Sequence, residues 1–199
     1  MKSTTPGFKH LTEIGQFNMS LKDASDETRI KIIDTAKYAL ECDPTRDRQQ
    51  LIRVTTASLL AEQYVASHME GSSYSGVEDI NDPFTFAFDV LSHIKYQGLR
   101  IEVKCAFSNK WVNIRSSNHP SNEGISLDAF LASNVADVMI IFLTQENQSG
   151  VFTYRPGFVI GRDVFTQYPD LIKRGRDRKS WYLCKNFYVE PECPLTVFK

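Results

Sequence analysis

An α/β fold with a mixed central sheet flanked by helices is predicted for this chain by three features of its sequence. Residues 84–91 and 99–106 alternate apolar and polar side chains on either side of Lys95-Tyr96-Gln97-Gly98, as two half-buried strands joined by a turn would. Residues 137–144 centre on a continuous apolar run, 138–143, of strand length, which suits a strand buried on both faces. Upstream, residues 25–43 and 47–69 repeat apolar side chains at helical spacing.

Taken in order, residues 1–24 mix Pro6, Gly7 and Gly15 with several hydroxyl side chains and predict an irregular lead-in. Ser25-Asp26-Glu27 starts a helix well, because a short polar cap and acids favour the N-terminal end of the helix dipole. Ile30, Ile33, Ala36 and Leu40 are its expected apolar stripe, and Asp43-Pro44 its expected stop. A second helix lies within 47–69, with Leu59, Glu62, Val65, Ala66 and Met69 on one stripe. Glu62 is therefore a carboxylate on an apolar face, and burying it unpaired would be costly. It either reaches water or a basic partner at the edge of the stripe, or serves a site. Residues 71–82 are polar and contain glycine, which predicts a loop. A helical segment over 1–49 is thus expected to precede a domain over 50–199.

In the hairpin, Phe84, Phe86, Phe88 and Val90 share one face and Asp89 lies on the other. On the second strand Leu99, Ile101, Val103 and Cys105 face one way, and Arg100, Glu102, Lys104 and Ala106 the other. Antiparallel pairing then brings Asp89 near Glu102 and Lys104. A third strand is expected at 110–116 after a turn at Ser108-Asn109, with Asn113 and Arg115 on one face, either the face that carries Glu102 or a solvated one. Ser126 caps a helix over 127–134 that leads into the buried strand. Residues 150–154 and 158–161 should be peripheral strands on either side of a tight turn at Arg155-Pro156-Gly157. Lys173, Arg174, Arg176, Arg178 and Lys179 form the densest basic cluster and precede Trp181 and Tyr182, a combination suited to tracking a nucleic-acid backbone and equally to a solvated loop. His68, His93 and His119 are isolated from other candidate groups.

With 199 residues the chain can bury one well-formed core. The longest apolar run, 138–143, is far too short to span a bilayer, and no signal-peptide apolar core opens the chain, so a cytoplasmic protein is expected. Cys42, Cys105, Cys184 and Cys193 are scattered, without the close pairs of zinc sites, and read as reduced thiols. The net charge of −1 means that affinity for a polyanion must come from local patches and a bound cation.

An Asp and a Glu side by side can hold a hard divalent cation that keeps positions open for water and a phosphate oxygen. A lysine two residues along the strand can orient that water or offset charge on the phosphate. Glu and Lys at alternate positions also suit an ordinary solvated face with a cross-strand Asp as partner.

Asp89 followed by Glu102-Val103-Lys104 on the next strand resembles the motif of the PD-(D/E)xK nuclease superfamily, with Phe88 where the family name has Pro. The likeness spans mainly residues 62–144. It implies a restriction-endonuclease-like core and Mg²⁺-dependent cutting of nucleic acid, DNA before RNA, with Mn²⁺ as a substitute. In that scheme Asp89 and Glu102 bind metal, the Val103 carbonyl adds a ligand, Glu62 is an accessory acid from the preceding helix and Lys104 acts on water or the transition state. Arg115 and the basic cluster of residues 173–179 would bind the nucleic acid, and a homodimer is compatible with the pattern. An RNA-cutting enzyme with the same site and a non-catalytic nucleic-acid-binding protein of the same fold are the alternatives.

Overall fold

The computed structural model describes residues 1–73, 88–108, 110–115, 124–132, 135–147, 150–176 and 180–198. Along the chain run α1 (Pro6–Thr12), β1 (Phe17–Ser20), α2 (Asp26–Cys42), α3 (Arg48–His68), β2 (Ser72–Ser73), β3 (Val90–Leu91), β4 (Arg100–Ala106) and β5 (Asn113–Ile114). They are followed by α4 (Asp128–Ala132), β6 (Val138–Glu146), β7 (Val151–Gly161), α5 (Val164–Gln167), β8 (Ile172–Arg174), β9 (Trp181–Leu183) and β10 (Leu195–Val197). The fold is mixed α/β. The main sheet has the order β1-β7-β6-β4-β3-β2, with β10 also paired to β7, and β5-β9-β8 form a small second sheet. β4 and β6 are parallel, and the other described pairs are antiparallel.

β6 is the buried centre its apolar run predicts, with Val138 to Leu143 all at most 2% exposed. Successive side chains of a strand point to opposite faces, so β4 and β6 feed two cores. Ile101, Val103, Val138, Ile140 and Phe142 pack with Phe8 and Leu11 of α1 and Leu60, Ala61 and Val65 of α3. Ala106, Met139, Ile141 and Leu143 pack on the other face with Phe130 of α4, Phe165 of α5 and Leu183 of the small sheet. Burying each large apolar side chain stabilises the fold by about 1.5–3 kcal/mol, which is why the sheet is covered on both sides.

The two long helices begin where their caps predict. Ser25 Oγ accepts the Thr28 N–H at 3.1 Å, and Asp47 Oδ1 accepts the Gln50 N–H at 2.9 Å. The stripe on α2 is narrower than its spacing suggested. Ile32 and Ala36 are buried, whereas Ile30 and Ile33 face solvent at 60% and 65% exposure, because among the described elements α2 packs chiefly against α3. No described helix is long and apolar enough to cross a membrane.

Four other expectations are corrected. Residues 1–24 are an ordered part of the fold: α1 places Phe8 and Leu11 in the core, and β1 pairs with β7 from Phe17↔Tyr154 to Ser20↔Val151. Pro6 at the start of α1, read as a sign of irregularity, is a favoured first helical residue whose missing N–H costs nothing there. Arg155-Pro156-Gly157 is no turn. β7 runs through it, and the register against β6 jumps from Ile141↔Phe158 to Phe142↔Pro156, so Gly157 is the extra residue of a β-bulge. β5 leaves the main sheet and pairs with β9 in the small one, so Asn113 and Arg115 do not extend the face that carries Glu102. Phe88 belongs to the α5 side core and Val90 to the α3 side core, so the alternation expected over 84–91 breaks at Asp89. Residues 84–87 of that strand lie outside the described residues.

Two close approaches need glycine. A Cβ on Gly71 would lie 2.1 Å from the Leu91 carbonyl oxygen, so only glycine lets the chain leave α3 against β3. Gly124 has φ +104°, and a Cβ there would lie 2.8 Å from the Asn113 carbonyl oxygen. The next residue, Ile125, exchanges hydrogen bonds with the main chain of Asn113 and Arg115 and so fixes β5.

Candidate active site

β3 pairs with β4 at Val90↔Ile101 and Leu91↔Arg100, and the chain turns away at Asp89. The Asp89 N–H donates to the Ile101 carbonyl at 2.9 Å, and its Oδ2 accepts the Val103 N–H at 2.7 Å. A carboxylate thereby lies against β4 beside the two residues that flank Val103. On β4, Lys104 Nζ is 2.5 Å from Glu102 Oε1. The hairpin expected from the sequence thus brings Asp89, Glu102 and Lys104 together.

The electrostatics follow from that crowding. Glu102 is only 4% exposed. Burial first, and then the negative charge of Asp89, push its pKa up to about 7, while Lys104 and Arg162 work in the opposite direction. For Lys104, burial alone would lower the pKa, but the charges of Asp89 and Glu102 outweigh it and hold the group above its ordinary value. The lysine is therefore a firmly protonated cation between two acids.

Glu62 comes from α3 and is 7% exposed. Its Oε2 accepts from Lys31 Nζ at 3.0 Å, and the same ammonium reaches Ser73 Oγ at 3.2 Å. Burial, and next the charge of Asp89, push Glu62 up to about 8 against the pull of Lys31 and Lys104. Glu62 therefore feels the Asp89 charge while its direct partner is Lys31. Among the described residues no three His, Cys, Asp or Glu side chains are gathered as a group that could hold a metal ion.

The basic residues separate. Lys173 and Arg174 lie on β8, Arg174 with its guanidinium 5.6 Å from the centre of the Trp181 ring, and Arg176 is exposed beyond them. Arg178 and Lys179 lie outside the described residues. Arg115 is exposed at the end of β5 and lines a cleft of about 540 Å³ with Arg46, Arg53, Cys105, Phe107 and Trp111. Lys31, Arg53 and Trp111 were not singled out in the sequence. Lys31 and Arg53 are ordinary surface cations of helices by pattern, and Trp111 alone, an aromatic between Lys110 and Arg115, carried a readable signal.

Comparison with known proteins agrees with a nuclease. Residues 1–185 match the family model described as bacteriophage T4 endonuclease IV. The chain is also 37% identical over 187 residues to endonuclease IV of Enterobacteria phage T4, covering 92% of this chain and 99% of that protein. The match spans α1 through β9 and includes every element that builds the site, and the chain belongs to the bacteriophage T4 endonuclease IV family.

Proposed function

We propose that the protein is a divalent-metal-dependent endonuclease that hydrolyses DNA phosphodiester bonds on a restriction-endonuclease-like core of the PD-(D/E)xK type. The observation that carries the reading is the convergence of Asp89, held on the Val103 N–H, with the contacting pair Glu102 and Lys104. Support for the core comes from the antiparallel β3/β4 pair beside a parallel β4/β6 pair, with α4 on the connection between β4 and β6.

The donors fit Mg²⁺, with Mn²⁺ as a substitute. They are carboxylate oxygens, Mg²⁺ needs only one or two of them besides water and phosphate, and a cation would offset the burial and the neighbouring Asp89 charge that raise Glu102. Asp89 and Glu102 would hold the ion, with the Val103 carbonyl as a further oxygen and Glu62 as an accessory acid. When bound, the ion lowers the pKa of a coordinated water and polarises the phosphate. Lys104 keeps its proton at Nζ and offers hydrogen bonds and positive charge to the attacking water and to the charge developing on the phosphoryl oxygens. Glu62, pushed up by burial, can carry a proton near neutrality. The test is incubation with plasmid, linear duplex, single-stranded DNA and RNA, each with Mg²⁺, Mn²⁺ or EDTA. Metal-dependent conversion of DNA is expected. Cutting in EDTA would exclude metal dependence, and cutting of RNA alone would exclude the DNA reading.

A further inference from the structure

The geometry points to a continuous track for a nucleic-acid strand, built from the cleft beside β4 and the outer face of the small sheet, with Arg115 and Lys173 as phosphate contacts and Trp111 as a stacking platform. It rests on the reading of the protein as a nuclease and adds the surface that holds the substrate.

Cross-strand partners share a face of a sheet. In the small sheet Asn113 pairs with Tyr182 and Tyr182 with Lys173, while Ile114 pairs with Trp181 and Trp181 with Arg174. Leu183 and its partner Ile172 lie on the same face as the second row, and Leu183 is in the core that Ile114 and Ile172 pack against. The second row therefore faces inward. The first row, Asn113, Tyr182 and Lys173, faces out, and alternation puts Trp111 and Arg115 with it. Trp111, Asn113 and Arg115 all line the cleft, and the Trp111 ring meets the Tyr182 ring edge-on at 5.8 Å. Trp111 is 53% exposed, too large an aromatic surface to leave in water without use.

The opposite wall of the cleft carries Arg46 and Arg53. Arg53 is ion-paired with Glu146 and stacked over Phe107 at 4.7 Å, so its guanidinium is held in place. No described carboxylate is ion-paired with Arg115. Among the described residues the cleft is lined by three arginines and one acid, Asp47, with Arg46 ion-paired to Asp43 and Arg53 to Glu146, so in a chain of net charge −1 Arg115 is its cation left to meet a phosphate. Cys105 and Ala106, directly after Lys104 on β4, form part of its wall, so the cleft begins one residue along the strand from the candidate catalytic lysine. Basic side chains that follow the backbone, with an aromatic platform between them, are the general solution for holding a single strand. The pattern also divides the basic cluster: Lys173 lies on the track, whereas Arg174 lies against Trp181 on the other row.

The test is anisotropy of a fluorescein-labelled single-stranded DNA oligonucleotide in EDTA, so that no cutting is needed. Arg115→Glu and Lys173→Glu are each expected to weaken binding by about 10-fold and to lower the slope of log affinity against log salt by about 1. Trp111→Ala should weaken binding by about 10-fold with the slope unchanged, since stacking releases no counterion. Lys37→Glu, an exposed reversal on α2, should bind as wild type. Near-wild-type affinity for Arg115→Glu and Lys173→Glu together, equal weakening by Lys37→Glu, or no detectable binding by the wild-type protein would overturn the track. Glu102→Gln separates this from the catalytic reading. If that variant still cuts, the assignment of the acid fails, while the binding results stand.

Discussion

Asp89 accepts the Val103 N–H at 2.7 Å, so the side chain of the first candidate ligand is bonded to the main chain between the other two catalytic candidates. The carboxylate is held by the strand it serves. Asp89 thus has a structural role beside the metal-binding role proposed for it, and the two can be separated.

Asp89→Ala removes the acceptor and should destabilise the protein by about 1–3 kcal/mol, the usual effect of leaving a main-chain N–H without its charged partner. Asp89→Asn keeps an acceptor oxygen and should retain most of the stability. Both should lose cutting. Urea unfolding of the two variants beside a nicking assay checks this, and equal stability of Asp89→Ala and wild type would remove the structural role.

The raised acids make stability depend on pH in a stated direction. Glu62 and Glu102 start from an ordinary value of 4.5 and are pushed up to about 8 and about 7. The folded protein therefore binds their protons more tightly than the unfolded chain. Their stabilising contribution is complete below the unfolded value of 4.5 and is lost as pH rises through about 7 and 8. In EDTA the melting temperature should fall from pH 5.5 to pH 8.5. Mg²⁺ should raise it more at pH 8.5, because binding requires the deprotonated acids. Differential scanning fluorimetry across that range decides it, and a Mg²⁺ shift that is absent or larger at pH 5.5 would contradict the metal assignment.

Gly124→Ala should loosen β5. A Cβ there meets the Asn113 carbonyl at 2.8 Å, and φ +104° is a conformation that alanine rarely adopts. Arg115 and Trp111 would lose their register in the cleft while Asp89, Glu102 and Lys104 keep theirs. Weaker DNA binding with an unchanged Mg²⁺ melting shift is expected. A variant that binds DNA as wild type would show that the placement of β5 does not matter.

Much of this was legible in the sequence where one local rule dominates. The run 138–144 has no polar side chain until Thr144 and could only be a buried strand, and Ser25 and Asp47 announced their helices by capping chemistry. That Asp89 lies beside Glu102 and Lys104 is legible because a hairpin needs only a turn and a register, although the alternation expected over 84–91 breaks at Asp89. What was hidden depends on partners distant in sequence. β1 is a short strand whose order comes from pairing with β7, more than 130 residues later, and Lys31 gains its meaning only from Glu62 on another helix. The Pro-Gly pair in β7 obeys turn statistics, but the pairing with β6 overrides them and makes it a bulge. β5 is legible as a strand but its sheet is not, because alternation shows which residues share a face and not which strand lies beside it.

If Asp89, Glu102 and Lys104 form one metal-dependent hydrolytic site, cleavage of supercoiled plasmid DNA by folded Glu102→Gln and Lys104→Ala proteins is the measurement that decides it. Glu102→Gln keeps the size of the side chain and removes its charge, and Lys104→Ala removes the cation that faces it. With Mg²⁺ present, the wild-type protein should nick and linearise the plasmid and both variants should be slower by about 100-fold or more, the scale of losing a positioned electrostatic group. EDTA should stop the wild-type reaction. Cleavage by both variants at the wild-type rate, or wild-type cleavage that persists in EDTA, would contradict that assignment.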